Sequence, residues 1–221
     1  MNRYRVELTG LSPLLMHRDN IDAAEKIKAW LKEPENQKHS VKGDDRSPPW
    51  TWLGSLYSDG THVCMPSDNL MRVAMEGGAS VPAPGGRSGK TLKAQTQSGM
   101  LVSDEFVPLL LGNGNPIDVA EINALIGEMD FAKHQSTAAA LGLSLFVKRA
   151  RIGASKHVRV RPRFEQWSLV FSLDVWDEQL SLDALKSIWR YGGQYKGLGD
   201  WRPSSRTPGP FGRFEAKISK A

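Results

Sequence analysis

Five large apolar residues, Trp167, Leu169, Phe171, Leu173 and Val175, recur at every second position of one nine-residue stretch. A period of two points them all to one side of an extended chain, so this stretch is a strand with one face on a core and the other toward water. Two further stretches obey the same rule. Tyr4, Val6 and Leu8 alternate with Arg3, Arg5, Glu7 and Thr9, and Phe214, Ala216 and Ile218 alternate with Arg213, Glu215 and Lys217. Strands of this kind need an apolar layer over one face, and the segments between them supply it.

Asp19 or Asn20 caps a helical pattern with Ala23, Ala24, Ile27, Trp30 and Leu31 on one side and Lys26, Lys28 and Lys32 on the other. Ser67 opens a second helix with Leu70, Val73 and Ala74 inward, stopped at Gly77-Gly78. Asp118 opens a third, with Val119, Ile122, Leu125, Ile126 and Met129 on one face. Ser181 caps a fourth, with Leu182, Leu185, Ile188 and Trp189, ended by Gly192-Gly193. Residues 100–111 read as an extended stretch broken at Asp104-Glu105 and Pro108, and residues 141–147 as a strand. Residues 33–49 are polar and read as a mobile loop, and residues 81–89 hold no regular structure. Two βαβ-like halves in one chain give an α+β fold. The expected core is ferredoxin-like (RRM-like), an antiparallel sheet with helices on one face and long insertions. The expectation is a single domain over residues 1–221, with insertions near 17–60, 80–100 and 148–163.

The 221 residues carry a net charge of +5, with 40% hydrophobic and 24% charged residues, the balance of an ordinary globular protein. The one cysteine, Cys64, excludes an internal disulfide, argues against a cysteine-based zinc site and suits a reducing cytosol. The histidines (His17, His39, His62, His134, His157) show no metal-ligand spacing, and no cofactor is expected. No stretch approaches the ~18 apolar residues of a membrane span, and the N-terminus has no apolar run of signal-peptide length. The expected location is cytoplasmic, with no membrane partner.

Positive charge is concentrated. Residues 148–163 hold Lys148, Arg149, Arg151, Lys156, Arg159, Arg161 and Arg163 and no acid. Arg159, Arg161 and Arg163 share one face of an extended chain, and they read as surface residues whose removal shifts stability by no more than about 0.5 kcal/mol. The second concentration is the loop from Gly197 to Phe214. Gly197, Gly199, Gly209 and Gly212 free its backbone, and Arg202, Arg206 and Arg213 supply planar forks suited to phosphate. Such a loop is a cradle for a polyanion or an ordinary surface turn.

The pattern Gly197-Leu-Gly199 followed by Gly209-Pro-Phe-Gly-Arg-Phe214, after a strand–helix unit and before a final strand, resembles the CRISPR RAMP superfamily. Residues 56–66 with the helix after them, and Gly89-Lys-Thr-Leu-Lys93, are more loosely similar to its backbone-subunit members. Together these matches touch about half the chain. The resemblance implies a ferredoxin-like palm with finger-like and thumb-like insertions. It implies a repeated subunit of an RNA-guided effector complex of antiviral defence, whose partners are a guide RNA, a target nucleic acid, further copies of the chain and other subunits of the ribonucleoprotein.

On that reading the RNA-binding residues are Lys90, Lys93, Arg149, Arg151, Arg159, Arg161, Arg163, Gly197, Gly199, Arg202, Arg206, Gly212 and Arg213. Binding through phosphates tolerates any sequence and weakens with salt. Trp201 and Phe211 either stack on bases or pack within the loop. The alternative is an endoribonuclease. His17, with Lys26 or Lys28, would do acid–base work on a ribose hydroxyl, or Asp44 and Asp45 would cut target RNA. A third reading is a sequence-independent single-stranded nucleic-acid-binding protein of a phage or mobile element.

Overall fold

The computed structural model describes residues 1–85, 89–152 and 155–221. The elements are β1 (Asn2–Gly10), β2 (Leu14–Leu15), α1 (Ile21–Lys32), α2 (Pro34–Gln37), a 3-10 segment Pro49–Ser55, β3 (Cys64–Pro66), α3 (Ser67–Gly78), α4 (Lys93–Ser98), β4 (Met100–Val102), β5 (Phe106–Pro108) and β6 (Leu110–Leu111). They continue with α5 (Val119–Asn123), α6 (Phe131–Ala140), β7 (Ser144–Ile152), β8 (Ser155–Phe164), β9 (Trp167–Val175), α7 (Leu182–Tyr191), a π-helical turn Gly192–Lys196 and β10 (Phe214–Lys220). Two compact units form. One takes Met1–Leu14, Cys64–Pro116 and Gln166–Ala221, the other Leu15–Val63 and Ile117–Glu165.

The first unit carries the three alternating strands. Its sheet runs β10-β1-β9-β4, with β6 also on β9, and every pair is antiparallel. The halves β1–α3–β4 and β9–α7–β10 interleave, so the α+β, ferredoxin-like expectation holds. Alternation decides the faces as expected. Val6, Leu8, Leu169 and Leu173 are fully buried, while Arg3, Arg5 and Thr9 are exposed. The core is an aromatic cluster under α7. The Trp189 ring lies 5.4 Å from Phe171 and 6.4 Å from Phe214, and Trp167 lies 6.2 Å from Phe214.

Residues 100–111 split into three short strands rather than one. The Asp104 carboxylate accepts the Ser172 amide at 2.7 Å and Pro108 has no N–H to donate, so the ladder cannot run through. β5 turns away to pair with β3, Met65 opposite Val107. The polar run after Lys90 contains α4, which the sequence hid. Its Thr96 is fully buried, and the hydroxyl donates to carbonyls of the preceding turn, Leu92 O at 3.1 Å and Lys93 O at 2.8 Å.

The second unit is built on the three-stranded sheet β2-β8-β7. Trp52 and His134 are fully buried there. The indole Nε1 donates to His134 Nδ1 at 3.1 Å, and His134 Nε2 meets the Glu128 carbonyl at 2.9 Å. An acceptor at Nδ1 and a carbonyl at Nε2 leave a neutral ring with its proton on Nε2 and both nitrogens satisfied. The helix α6 that carries His134 was not expected. Asp130 caps it, its carboxylate accepting the Ala132 amide at 2.9 Å. The helix expected from Asp118 stops at Asn123, because Gly127 (φ +91°) turns the chain, and Ile126 and Met129 are left exposed rather than inward.

Trp189→Ala is expected to cost about 3–5 kcal/mol, the usual toll for emptying a buried aromatic site. Ile21→Ala, at a residue 71% exposed, should stay within about 0.5 kcal/mol. Urea midpoints of the two variants against the parent check both.

Candidate functional site

The basic window is an antiparallel hairpin, and its register sorts the cations. Lys148 lies opposite Arg159, Phe146 opposite Arg161 and Ser144 opposite Arg163. Directly opposed residues share a face, so Lys148, Arg159, Arg161 and Arg163 form one row. Arg149 (opposite Val158) and the facing pair Arg151 and Lys156 point to the other side. Lys148, Arg149, Arg151 and Lys156 are exposed, and the arginines of β8 are half-buried. Toward its base the hairpin is apolar, with Val160, Pro162 and Phe164 buried.

Asp45 holds the half-buried row in place. Its carboxylate accepts Arg159 Nη1 at 2.8 Å, Arg161 Nη1 at 3.1 Å and the Val160 amide at 3.1 Å. The loop that presents Asp45 lies along the edge of β8. The Val158 amide donates to Gly43 O at 2.8 Å and the Asp45 amide to Val158 O at 2.9 Å. The stretch expected to be mobile is therefore fastened at residues 43–45 by backbone bonds and two ion pairs. Arg161, with its side chain 13% exposed, is likewise no plain surface residue.

His17 belongs to the same cluster. Arg161 Nη2 lies 3.2 Å from His17 Nε2; a guanidinium only donates, so Nε2 carries the lone pair and Nδ1 the proton. His17, Arg18, Asp45, Arg159 and Arg161 line a cleft of about 160 Å³ beside the first turn of α1. Residues expected to grip a phosphate and residues expected to cut one thus meet in one place. Lys26 and Lys28 do not line it. A neighbouring cleft of about 250 Å³ is lined by Lys42, Asp44, Arg149, Lys156 and His157. Asp44 is engaged by Arg46, with Nη2 at 2.6 Å and Nε at 2.9 Å, and that hydrogen bonding lowers its pKa.

The glycine loop lies in the first unit, and much of its composition serves its own closure. Gly197, Gly199 and Gly212 have φ of +73°, +79° and +72°. At Gly212 a Cβ would collide with the Leu198 carbonyl, while the backbone uses the space to bond Leu198 N to Gly212 O at 2.8 Å. Arg202 is a tie. Its Nη1 and Nη2 each lie 2.9 Å from the two oxygens of Glu76 on α3, and Nη1 also reaches Gly197 O at 3.1 Å. Ser204 Oγ and Arg72 Nε complete the shell of Glu76, each at 2.9 Å. Burial pushes the Glu76 carboxyl up, but hydrogen bonds from Arg202 and Arg72, the charge of Arg202 and the Ser204 hydroxyl outweigh it and hold the group at about 2. Arg206 and Arg213 are exposed, as are Lys90 before α4 and Lys93 at its first position. Phe211 is buried against Trp201, ring centroids 5.5 Å apart, which is packing within the loop.

Two features escaped the sequence reading. In sequence Glu76 is one polar residue on a helix, and its partner lies 126 residues away. The pair Tyr191 and Tyr195, 5.6 Å apart with Tyr195 55% exposed, sits just before the loop that drew attention. Among the described residues no three His, Cys, Asp or Glu side chains cluster closely enough to hold a metal ion. Among them, too, no helix is long and apolar enough to cross a membrane.

No family model and no curated protein matches the chain. Among solved structures it is similar to a chain of the type III-B Cmr-beta, determined by cryo-EM bound to cognate target RNA and AMPPnP. The TM-score is 0.31 and the identity 11%, over 98% of this chain and 62% of that one, so the chain spans less than two thirds of its neighbour's length.

The Glu76 tie makes a signed prediction. A carboxyl held at about 2 when folded and 4.5 when free stabilises the fold above pH 4.5, and the contribution disappears as pH falls toward 2. Allowing for partial exposure it is worth about 2 kcal/mol. Unfolding curves between pH 6 and 2 should show Glu76→Gln less stable than the parent at pH 6, with the gap closing as acid is added.

Proposed function

We propose that this chain binds the sugar–phosphate backbone of a guide RNA, as a repeated subunit of an RNA-guided effector complex. The observation that carries the reading is the β7–β8 hairpin. It bears cations on both faces, and a buried carboxylate fixes two of its guanidinium groups. The exposed Lys148, Arg149, Arg151 and Lys156 lie on both sides of the ladder, a concentration of positive charge that suits an anionic partner. Phosphates meet this requirement without reading sequence, which suits a subunit that must accept any guide. The ferredoxin-like unit with its Gly197–Phe214 loop agrees with the superfamily that the sequence resembles. The partners on this reading are guide RNA, target nucleic acid, neighbouring copies of the chain and other subunits of the complex. Arg149, Arg151, Lys148 and Lys156 supply the reachable charge. Arg159 and Arg161 are pre-set by Asp45, and Lys90, Lys93, Arg206 and Arg213 are the further exposed contacts.

The cleft beneath the hairpin supports a second reading, metal-independent RNA cleavage. His17 Nε2 accepts Arg161 Nη2 at 3.2 Å; on this reading a substrate displaces that contact, Nε2 takes a proton from the ribose hydroxyl and the released guanidinium meets charge developing on the phosphate. Under this reading His17→Ala abolishes cleavage of single-stranded RNA and leaves affinity unchanged. Persistence of cleavage in that variant, or no cleavage by the parent, removes it.

The binding reading is tested with the exposed cations, because changing Arg161 would also disturb the fold. Replacing Lys148, Arg149, Arg151 and Lys156 together by Gln should weaken RNA binding evenly across sequences. The slope of log affinity against log salt should fall by about 3, at ~0.7 per lost phosphate contact on a single strand. Unchanged affinity and slope would remove the hairpin from the interface. Nucleic acid that copurifies with the protein should be short and repeat-derived; random cellular RNA would favour a nonspecific filament.

A further inference from the structure

The segment between Asp183 and Asp200 contains Lys186, Arg190 and Lys196 and no acid. The inner face of α7 is the core face of Leu185, Ile188 and Trp189. What it turns outward at its C-terminal end is a layered group. The Arg190 guanidinium lies 5.2 Å from the centroid of the Tyr191 ring, and Tyr191 lies 5.6 Å from Tyr195 with the ring planes 35° apart. Tyr195 is 55% exposed, and Gln194 beside it is exposed as well.

The backbone beneath these rings is held closely. The π-helical turn closes with Gly197 N on Gly192 O at 2.8 Å. At Gly193 any Cβ would strike the Phe214 carbonyl, so the turn seats directly on β10. π-type turns of helices are frequent at functional sites. Here the exposed ring is carried by a stiff support rather than by a loose loop tip. An outward tyrosine backed by a second ring and an arginine, with a lysine next to it, is how proteins receive a flat group attached to an anionic chain.

We infer that Tyr195, supported by Tyr191 and Arg190, is a stacking site for a base of a single-stranded nucleic acid, with the adjacent Lys196 near its phosphates. The inference rests on the RNA-binding reading and adds a contact of different chemistry, made to a base rather than to the backbone. Stacking is tolerant of base identity, so it raises affinity without imposing a sequence.

The test compares a fluorescein-labelled 12-nucleotide oligoadenylate RNA with a ribose-phosphate strand of equal length lacking bases, by anisotropy with the full chain. The parent should bind the based strand about 10-fold more tightly, within the range one stacked base supplies. Tyr191→Ala/Tyr195→Ala should lose that preference while keeping the parent's affinity for the abasic strand, and Tyr191→Phe/Tyr195→Phe should retain it. Equal binding of both strands by the parent overturns the stacking site and leaves the phosphate grip standing. Failure to bind either strand overturns both. A preference that survives in the alanine pair also overturns it, and so does an alanine pair that alters only the sedimentation of the protein, which would mark the tyrosines as a protein contact.

Discussion

One carboxylate organises the second unit. Asp45 is nearly buried, yet it gathers two guanidinium groups and a backbone amide from three consecutive residues of β8. A strand that offers Arg159 and Arg161 on one face repels itself, and a buried acid beside its edge removes that cost at the place it arises. It also freezes two long side chains whose disorder would otherwise oppose any ligand they meet. Residues 43–45 are fastened by these ion pairs together with two backbone bonds to Val158, and Arg161 of the same cluster lies 3.2 Å from His17 Nε2. Removing one partner from such a cluster strands the others in a poorly solvated place, so the cluster stands or falls together.

Period-two patterns were the most readable part of the sequence. β1, β9 and β10 follow directly from Tyr4-x-Val6-x-Leu8 and its two counterparts, because alternation leaves a strand little choice of face. The α+β class and the two βαβ-like halves came with them. Polar short elements were not readable. α4 has one buried side chain, Thr96, and α6 is a run of small and polar residues closed over His134; both owe their place to what they pack on rather than to their own pattern. The apolar stripe of α1 shows the reverse failure. The helix forms as its spacing says, yet none of its side chains is buried.

At the site, residue type was legible and commitment was not. Arginine in a glycine loop announces affinity for anions, but the sequence cannot say whether the anion is external or is Glu76, 126 residues away. The same ambiguity covered Asp44 and Asp45, adjacent acids of which one serves Arg46 and the other the hairpin. Among the expected binding residues, Arg202 is committed within the molecule, to Glu76 and the Gly197 carbonyl. The exposed cations of β7 and β8 needed only the ladder register to divide them between two faces.

The position of β1 has a consequence for how the protein is made. It is an interior strand, hydrogen-bonded on one side to β9 and on the other to β10. Both neighbours are translated more than 150 residues after it. At ~5–20 residues per second, a ribosome keeps Tyr4, Val6 and Leu8 waiting for roughly 8–32 s before the first flank exists. During that interval the nascent chain carries a bare apolar strand with two open edges, and the second edge stays open until β10 emerges.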